Sequence, residues 1–194
     1  HNPIDVAESY AMVDVISNGR LDFGVGKGSE AHEYRKFGVD QKQATSRMYE
    51  GVQVMLQAWS DKPVSFSGEF YRYQNVPVFP KPVQRPHPRF WVGCARSEDS
   101  FRWAGENGFH LMTLPYLYRE PQMLPNFIKA YRSALAAAGH DPGKQEILGK
   151  FHIYVSSSLE DAIREAEPYL INYFDVHKAA DLDRQEQGLL TQRD

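Results

Sequence analysis

The sequence predicts an α/β protein whose parallel strands are joined by helices. Four short apolar stretches have strand character: residues 21–25, 90–94, 109–114 and 150–156. They alternate with stretches whose apolar residues recur at helical spacing, and parallel strands need such helical crossovers. A closed eightfold barrel needs roughly 250 residues. This chain has 194 residues and four predicted strands, so it supplies only about half of one.

The first third of the chain holds two predicted helices around the first strand. The first helix begins at Pro3 with Asn2 as its N-cap, and Asn18-Gly19 ends it. The second helix spans residues 45–59, where apolar side chains fall on one face. The segment before it, residues 29–44, is polar, and we expect it to be irregular.

An insertion interrupts the alternation before the second strand. Short aromatic runs on both sides of Ser67-Gly68 predict a β-hairpin. The prolines that follow it, up to residue 88, impose an extended path. Two further helices are then predicted, over residues 97–107 and 120–138, and glycines follow both of them.

The end of the chain carries one more helix. Ser158 is its predicted cap, and it contains Pro168, where a kink is expected. The polar stretch 175–194 predicts a loosely ordered tail. No linker or repeat divides the sequence, which predicts a single partial domain over residues 1–194.

Composition excludes several classes of protein. The net charge of −3 gives no strong attraction to nucleic acid or to an anionic membrane, and no apolar run approaches the ~20 residues that span a bilayer. The single cysteine, Cys94, excludes an internal disulfide framework, which favours a reducing, cytoplasmic setting. The seven histidines are scattered without ligand spacing, so no metal site is expected.

The stretch "GVGKG", residues 24–28, places three glycines at and just after the end of the first predicted strand. Glycine lets backbone N–H groups approach an anion and adopts the positive φ that anion-binding turns need. The spacing matches neither common glycine-rich phosphate motif, so an ordinary tight turn is an equally good interpretation. Lys27 supplies a cation in the turn, and Arg47 near the start of the next helix is able to bind phosphate with two hydrogen bonds. Taken alone, Arg47 is more simply a solvated surface residue.

A second candidate for anion binding is "GCARSEDS", residues 93–100. It leaves the carboxyl end of a strand and opens a helix, where the N–H groups and the helix dipole favour an anion. Ser97 and Ser100 add hydroxyl groups, although plain N-capping by Ser97 is the simpler alternative. In a parallel α/β fold this segment, the glycine turn and Arg47 all lie at the same end of the strands.

Four stretches in order carry a family resemblance: "GRLDFGVGKG", "HEYRKFGVD", "SFSGEFYRY" and "FPKPVQRPHPRFWVG". Together they resemble the bacterial luciferase-like monooxygenases, and the likeness runs from His1 to about Phe174. The resemblance implies a (β/α)8 TIM barrel of which this chain holds roughly strands 4–7 with their helices. It also implies a flavin-dependent monooxygenase that uses reduced FMN and O2 to oxygenate a small organic substrate.

The resemblance further implies which residues bind the flavin phosphate. Lys27, Gly28 and Ser29 match the family's phosphate turn, and Arg47 matches a basic residue with the same role. The loop from Ala95 to Ser100 adds contacts, for which we take Ser97 and Ser100. The family's first three strands, which hold its frequent catalytic histidine, precede the start of this sequence, so no catalytic residue is assigned.

The same resemblance implies a separate flavin reductase as supplier of reduced flavin, and a homodimer formed through helices near the start of this segment. Related barrels use a deazaflavin coenzyme for hydride transfer, which is the alternative reaction. A non-catalytic flavin-binding or inactive fragment is the alternative from another class.

Three other side chains are candidates with plainer alternatives. His110 and His152 lie on predicted strands and would reach a flavin or substrate if they pointed into the barrel, but satisfied core histidines are more common. Cys94 ends a predicted buried strand and has no partner in sequence that would activate it. We therefore expect it to be a small buried residue rather than a nucleophile.

Overall fold

The computed structural model describes residues 1–118 and 120–186. Within this part the chain forms two compact units. The first unit comprises residues 1–27 and 45–150, and the second comprises 28–44 together with the chain from residue 151 onward. The assignment of residues 1–194 to a single partial domain stays a prediction.

The first unit is built on a four-stranded parallel sheet, which confirms the predicted fold class. Its strands are β1 (Asp22–Val25), β4 (Arg89–Gly93), β5 (His110–Thr113) and β6 (Ile147–Gly149), in the spatial order β1-β4-β5-β6. Every neighbouring pair is parallel, with Val25 opposite Val92 and Thr113 opposite Gly149. Because all four strands run the same way, the loops that follow them lie at one edge of the sheet.

Four helices of this unit pack on one face of the sheet: α1 (Pro3–Ser17), α3 (Ala44–Trp59), α4 (Glu98–Glu106) and α5 (Met123–Ala137). Aromatic rings form the centre of the core. The ring of Phe90 on β4 stacks on Phe109 at 4.4 Å between centroids and meets Phe23 of β1 edge-on at 5.2 Å. The indole of Trp59 is fully buried, and its Nε1 donates to the Ala7 carbonyl at 2.9 Å, which joins α3 to α1.

Local signals place the ends of α1 as predicted. The Asn2 side chain accepts from the amide of Ile4 at 2.9 Å, with Pro3 as the first helical residue. Asn18 and Gly19 then take positive φ angles of 54° and 75°, and the Gly19 amide donates to the Asp14 carbonyl. These are the hydrogen bonds that end a helix in a left-handed cap.

The insertion forms the predicted hairpin, with β2 (Val64–Ser67) antiparallel to β3 (Arg72–Val76). The proline-rich segment after it is fastened to α1. Asp14 is fully buried, and its carboxylate accepts from the backbone amide of Gln84 at 2.9 Å and from the Gln84 side chain at 2.7 Å. A second bond from the same side-chain amide reaches the Leu21 carbonyl, so Gln84 also contacts the entry to β1.

The predicted fourth strand at 150–156 is wrong, because the strand lies earlier, at Ile147–Gly149. The partner strand β5 ends at Thr113, which pairs with Gly149. Its ladder with the last strand starts where the Leu111 amide donates to the Glu146 carbonyl and finishes where the Lys150 amide donates to the Thr113 carbonyl. Ile153 and Val155 of the alternating apolar stretch 151–155 are more than four-fifths exposed instead, and Phe151 is 59% exposed.

The second unit contains α2 (Ala31–Lys36), a 3₁₀ turn at Gln41–Gln43 and α6 (Leu159–Glu186). The prediction of an irregular segment at 29–44 is therefore wrong in part. The residues "AHEYRK" are mostly good helix formers, and a left-handed Gly38 with φ of 62° ends α2. Their polarity hides the helix from a reading based on apolar spacing.

The helix α6 starts as predicted, since the Asp161 amide donates to the Ser158 hydroxyl at 3.1 Å. Pro168 lies inside it. The helix continues to Glu186, where the sequence predicted a loosely ordered stretch from residue 175. The rest of that stretch, residues 187–194, lies outside the described residues.

Candidate functional site

The carboxyl ends of the sheet strands define the candidate site in the first unit. The chain leaves β1 at Gly26, β4 at Cys94 and β5 at Leu114, all at one edge, which we call the carboxyl edge. Cys94 continues the sheet by one bond, because its amide donates to the Met112 carbonyl at 2.8 Å. In parallel α/β folds this is the edge where ligands bind.

The amino end of α4 presents backbone donors beside this edge. Glu98 and Asp99 are its first two residues, and amides at those positions have no acceptor inside the helix. Ser97 occupies the N-cap but makes no side-chain capping bond, so the simple capping alternative for its hydroxyl is wrong. The helix has nine residues, enough for its dipole to favour an anion at this end.

Two acidic residues in the first turn of α4 oppose an anion there, and one of them is paired. Arg102 lies one turn after Glu98, and its Nε donates to the Glu98 carboxylate at 2.9 Å. The Ser100 hydroxyl donates to the Ser97 carbonyl at 2.7 Å and is therefore engaged within the turn. Of the two predicted serines, Ser97 is thus the one whose exposed hydroxyl makes no capping bond at this helix end.

Arg47 belongs to the first turn of α3 and is half-buried. Its guanidinium lies over the ring of Phe70, 4.5 Å from the ring centroid. Phe70 sits in the turn of the hairpin, between β2 and β3. The hairpin therefore places an aromatic ring against Arg47, the residue predicted to bind the phosphate.

The helices α3 and α4 meet through two stacked rings. Tyr49, two residues after Arg47, stacks on Trp103 of α4 with centroids 4.0 Å apart and planes 12° apart. Burial raises the pKa of Tyr49, and the nearby Cys94 and Asp99 raise it further. Tyr49 and Trp103 each lie in the second turn of their helix, so the stack places the amino-terminal halves of α3 and α4 side by side.

Polar side chains that sequence patterns did not single out lie at the same edge. Thr113, the last residue of β5, is buried, and its hydroxyl shares a 2.9 Å hydrogen bond with the Tyr118 hydroxyl. Burial raises the pKa of Tyr118, so its phenol keeps its proton at neutral pH. The only signal in the sequence is a polar residue at the end of an apolar strand, which is also common in ordinary sheets.

Cys94 is buried, as expected, and is not an activated nucleophile. Burial raises the pKa of its thiol to about 11, against a small opposing effect from the Ser100 hydroxyl. A thiol with that pKa stays protonated near neutral pH, whereas a reactive cysteine needs the thiolate. The side chain fills space in the core beneath the carboxyl edge.

Of the two candidate histidines, His110 lies away from this edge. His110 is the first residue of β5, at the amino end, where its Nδ1 accepts from the Glu146 amide at 2.9 Å and its ring stacks on Trp91 at 4.7 Å. Burial and the neighbouring Arg89 lower its pKa, so the ring is neutral at pH 7. This is a hydrogen-bonded structural histidine. His152 lies outside any strand, in the second unit, with its ring 4.6 Å from that of Tyr173.

The predicted phosphate turn crosses the boundary between the two units. Lys27 is exposed and is the last residue of the first segment of unit one. In the second unit Gly28 has a positive φ of 83°, and the Tyr34 hydroxyl donates to its carbonyl at 3.4 Å. The Ser29 hydroxyl donates to the Glu30 carboxylate at 2.8 Å. A left-handed backbone at Gly28 is what an anion-binding turn requires, and an ordinary tight turn requires it as well.

Among the residues described, no helix is long and apolar enough to cross a membrane. Within that same part of the chain, no three His, Cys, Asp or Glu side chains are grouped so as to hold a metal ion.

This chain belongs to the luciferase-like monooxygenase family, whose model matches residues 1–194. It is 32% identical over 177 residues to the oxygenase component of the flavin-dependent trigonelline monooxygenase of Acinetobacter baylyi, a match that covers 89% of this chain and 48% of that protein. The chain spans about half the length of the curated relatives it matches.

Solved structures agree with this assignment. A monooxygenase from Streptomyces bottropensis matches with a TM-score of 0.85 at 29% identity, over 95% of this chain and 56% of that one. An F420-dependent secondary alcohol dehydrogenase, in complex with an F420-acetone adduct, matches with a TM-score of 0.73 at 26% identity, over 86% and 50% of the two chains. The parallel sheet and its helices thus match those of the luciferase-like barrel enzymes, as the sequence predicted.

The donors at the carboxyl edge fit a phosphate monoester such as that of FMN. The first turn of α4 offers amides without intrahelical acceptors and the Ser97 hydroxyl. The first turn of α3 offers the Arg47 guanidinium, and Lys27 follows β1 at the same edge. Backbone N–H groups, a hydroxyl and cations are the groups that phosphate sites use.

Proposed function

We propose that this chain forms the phosphate-binding half of a flavin-dependent monooxygenase, which uses reduced FMN and O2 to oxygenate a small organic substrate. The observation that supports it best is that α3, which carries Arg47 in its first turn, and α4 both begin at the carboxyl edge, in a chain of this family. Bound reduced flavin would supply the electrons for the reaction with O2. The residues of this chain bind and orient it.

Arg47, the α4 amides and Ser97 would hold the phosphate, with Lys27 adding a second positive charge. Guanidinium binds phosphate through two parallel N–H donors, which fixes orientation as well as adding affinity. The helix amides add neutral donors whose dipoles already point toward the anion. Pairing of Glu98 with Arg102 reduces the repulsion that the first turn of α4 would exert. Gly28 and Ser29 stay predictions from the family resemblance, as does a role for Ser100.

The partners are proposed on the same basis. The trigonelline monooxygenase relative is an oxygenase component, which supports a separate flavin reductase as the supplier of reduced flavin. A homodimer through α1 is also proposed. Tyr10, Met12, Val13 and Ile16 on that helix are between 41% and 77% exposed, which is unusual for apolar side chains on one short helix.

A deazaflavin coenzyme is the second candidate, because F420-dependent dehydrogenases are among the relatives in both sequence and structure. The reaction would then be hydride transfer without O2. Binding of reduced FMN compared with that of the reduced deazaflavin coenzyme discriminates the two. A tighter complex with the deazaflavin would replace the monooxygenase proposal.

The test of phosphate binding is a titration of the chain with FMN and with riboflavin, which lacks the phosphate, followed by quenching of flavin fluorescence. We expect FMN to bind more tightly, and Arg47→Ala to weaken FMN binding by about tenfold or more while leaving riboflavin unchanged. Arg132→Ala, at an exposed arginine on α5, is the matched control. Equal affinities for FMN and riboflavin, or no FMN binding, would overturn the proposal for this chain.

A further inference from the structure

The turn of the hairpin is clamped to α3 by one carboxylate. Glu50 accepts three backbone hydrogen bonds, from the amides of Glu69 at 2.7 Å, Phe70 at 3.0 Å and Tyr71 at 3.3 Å. Glu50 lies three residues after Arg47, on the same face of the helix. The two side chains therefore contact the same hairpin turn. Glu50 binds backbone amides of the turn, and Arg47 lies over the ring of Phe70.

The clamp leaves no room for a side chain at the start of the turn. A Cβ atom added to Gly68 would overlap the Glu50 carboxylate and come within 2.7 Å of the Phe66 ring. The carboxylate cannot move aside without losing the three amides. Glycine at this position thus lets the turn approach α3 closely enough for Phe70 to lie against the Arg47 guanidinium at 4.5 Å.

Stacking on an aromatic ring restrains an arginine without using its donors. The attraction acts through the flat face of the guanidinium, while its five N–H groups radiate in the plane. An arginine side chain loses much rotamer freedom when it is fixed, and this loss opposes binding. A ring that holds the guanidinium before the ligand arrives removes part of that cost from binding, which is preorganisation.

We propose that Phe70, held in place by Glu50, is a positioning residue that orients the Arg47 guanidinium for the flavin phosphate. This rests on the proposed function, in which Arg47 binds that phosphate. The hairpin insertion then has a role in cofactor binding although its residues need not touch the cofactor. Phe70 acts through Arg47, so its contribution should vanish when Arg47 or the phosphate is absent.

The experiment is a double-mutant cycle on the full chain, with FMN and riboflavin as the two probes. Phe70→Leu removes the ring and keeps an apolar side chain, whereas Phe70→Tyr keeps the ring. We expect Phe70→Leu to weaken FMN binding about three- to tenfold, to leave riboflavin binding unchanged, and to have no further effect in an Arg47→Ala background. Phe70→Tyr should bind FMN as the unchanged protein does.

The outcomes separate the two proposals. If Arg47→Ala weakens FMN binding and Phe70→Leu does not, the positioning role is overturned while the phosphate role of Arg47 stands. Additive losses of affinity in the double variant, or an equal loss of riboflavin binding, would also overturn the positioning role. Either result would mean that Phe70 acts on folding or on binding of the flavin ring. If Arg47→Ala leaves FMN binding unchanged, the phosphate role fails and this inference fails with it.

Discussion

Removal of the buried carboxylate of Asp14 should destabilise the first unit strongly. Asp14 is fully buried, and its two oxygens accept from the backbone amide and side-chain amide of Gln84 at 2.9 Å and 2.7 Å. Hydrogen bonds to a charged group are worth about 1.5–3 kcal/mol each, and Asp14→Ala also leaves donors of Gln84 unpaired. Allowing for non-additivity, we expect a loss of about 3–4 kcal/mol in the free energy of unfolding.

Urea unfolding of Asp14→Ala at pH 7, beside the unchanged chain, measures this loss. At about 2–4 °C per kcal/mol for a protein of this size, the midpoint of thermal unfolding should fall by roughly 6–16 °C. Asp14→Asn is the control, because it keeps the shape and one acceptor but loses the charge. A loss below about 1 kcal/mol for Asp14→Ala would refute the energetic reasoning.

The pH dependence of the same pair tests the charge separately. Burial pushes the pKa of Asp14 upward, but the hydrogen bonds from Gln84 outweigh it and hold the pKa below its ordinary value of 3.8. Because the pKa is lower in the folded chain, the ionised carboxylate stabilises the fold at pH values above the pKa of the unfolded chain. This stabilisation is lost as the pH falls from 3.8 through the pKa of the folded chain. The stability gap between the unchanged chain and Asp14→Asn should therefore narrow below pH 4. A difference in the free energy of unfolding that stays constant with pH would contradict hydrogen bonding of Gln84 to an ionised Asp14 carboxylate.

Three further outcomes follow from local geometry. Gly28→Ala should lower the free energy of unfolding, measured in urea, by about 1–2 kcal/mol, because φ is 83° and the new Cβ would lie 3.3 Å from the Tyr34 hydroxyl. The control Gly26→Ala has open space around the new Cβ and should be close to neutral. Equal effects of the two substitutions would contradict the left-handed turn at Gly28. Cys94 should react with a thiol reagent at pH 8 only after unfolding, since its pKa is about 11, and rapid labelling of the native chain would show the thiol to be accessible. Ile16→Glu, at a side chain 77% exposed, should lower the mass seen by light scattering if α1 forms the dimer, whereas an unchanged dimer would exclude that helix from the interface.

Several features could be predicted because their cause is local in the chain. The N-cap at Asn2 and the left-handed end at Gly19 depend on hydrogen bonds within a few residues, so the sequence pattern and the structure agree. The hairpin is equally local, because its two strands are adjacent in sequence. The helix α2 escaped prediction for the opposite reason. Only Ala31 of its residues is buried, so it has no apolar face to recognise.

The last strand shows where local reasoning fails. Residues 150–156 have the better strand pattern, yet Ile147–Gly149 forms the strand, because these are the residues that lie beside β5. Apolar alternation measures how well a segment suits a sheet, and not whether a partner lies beside it. The site shows the same limit, since nothing local to Arg47 indicates that Phe70 covers its guanidinium.

The sequence by itself determined the α/β class, the ends of most helices, the hairpin and the family, because each depends on short-range hydrogen bonds, apolar spacing or recognisable motifs. Only the tertiary structure decided which side chains pack around the donors predicted for the carboxyl edge. The stacking of Tyr49 on Trp103 and the clamp of Glu50 on the hairpin turn join segments about 20 to 50 residues apart. Those contacts arise from packing after the chain has closed, so no pattern within either segment specifies them.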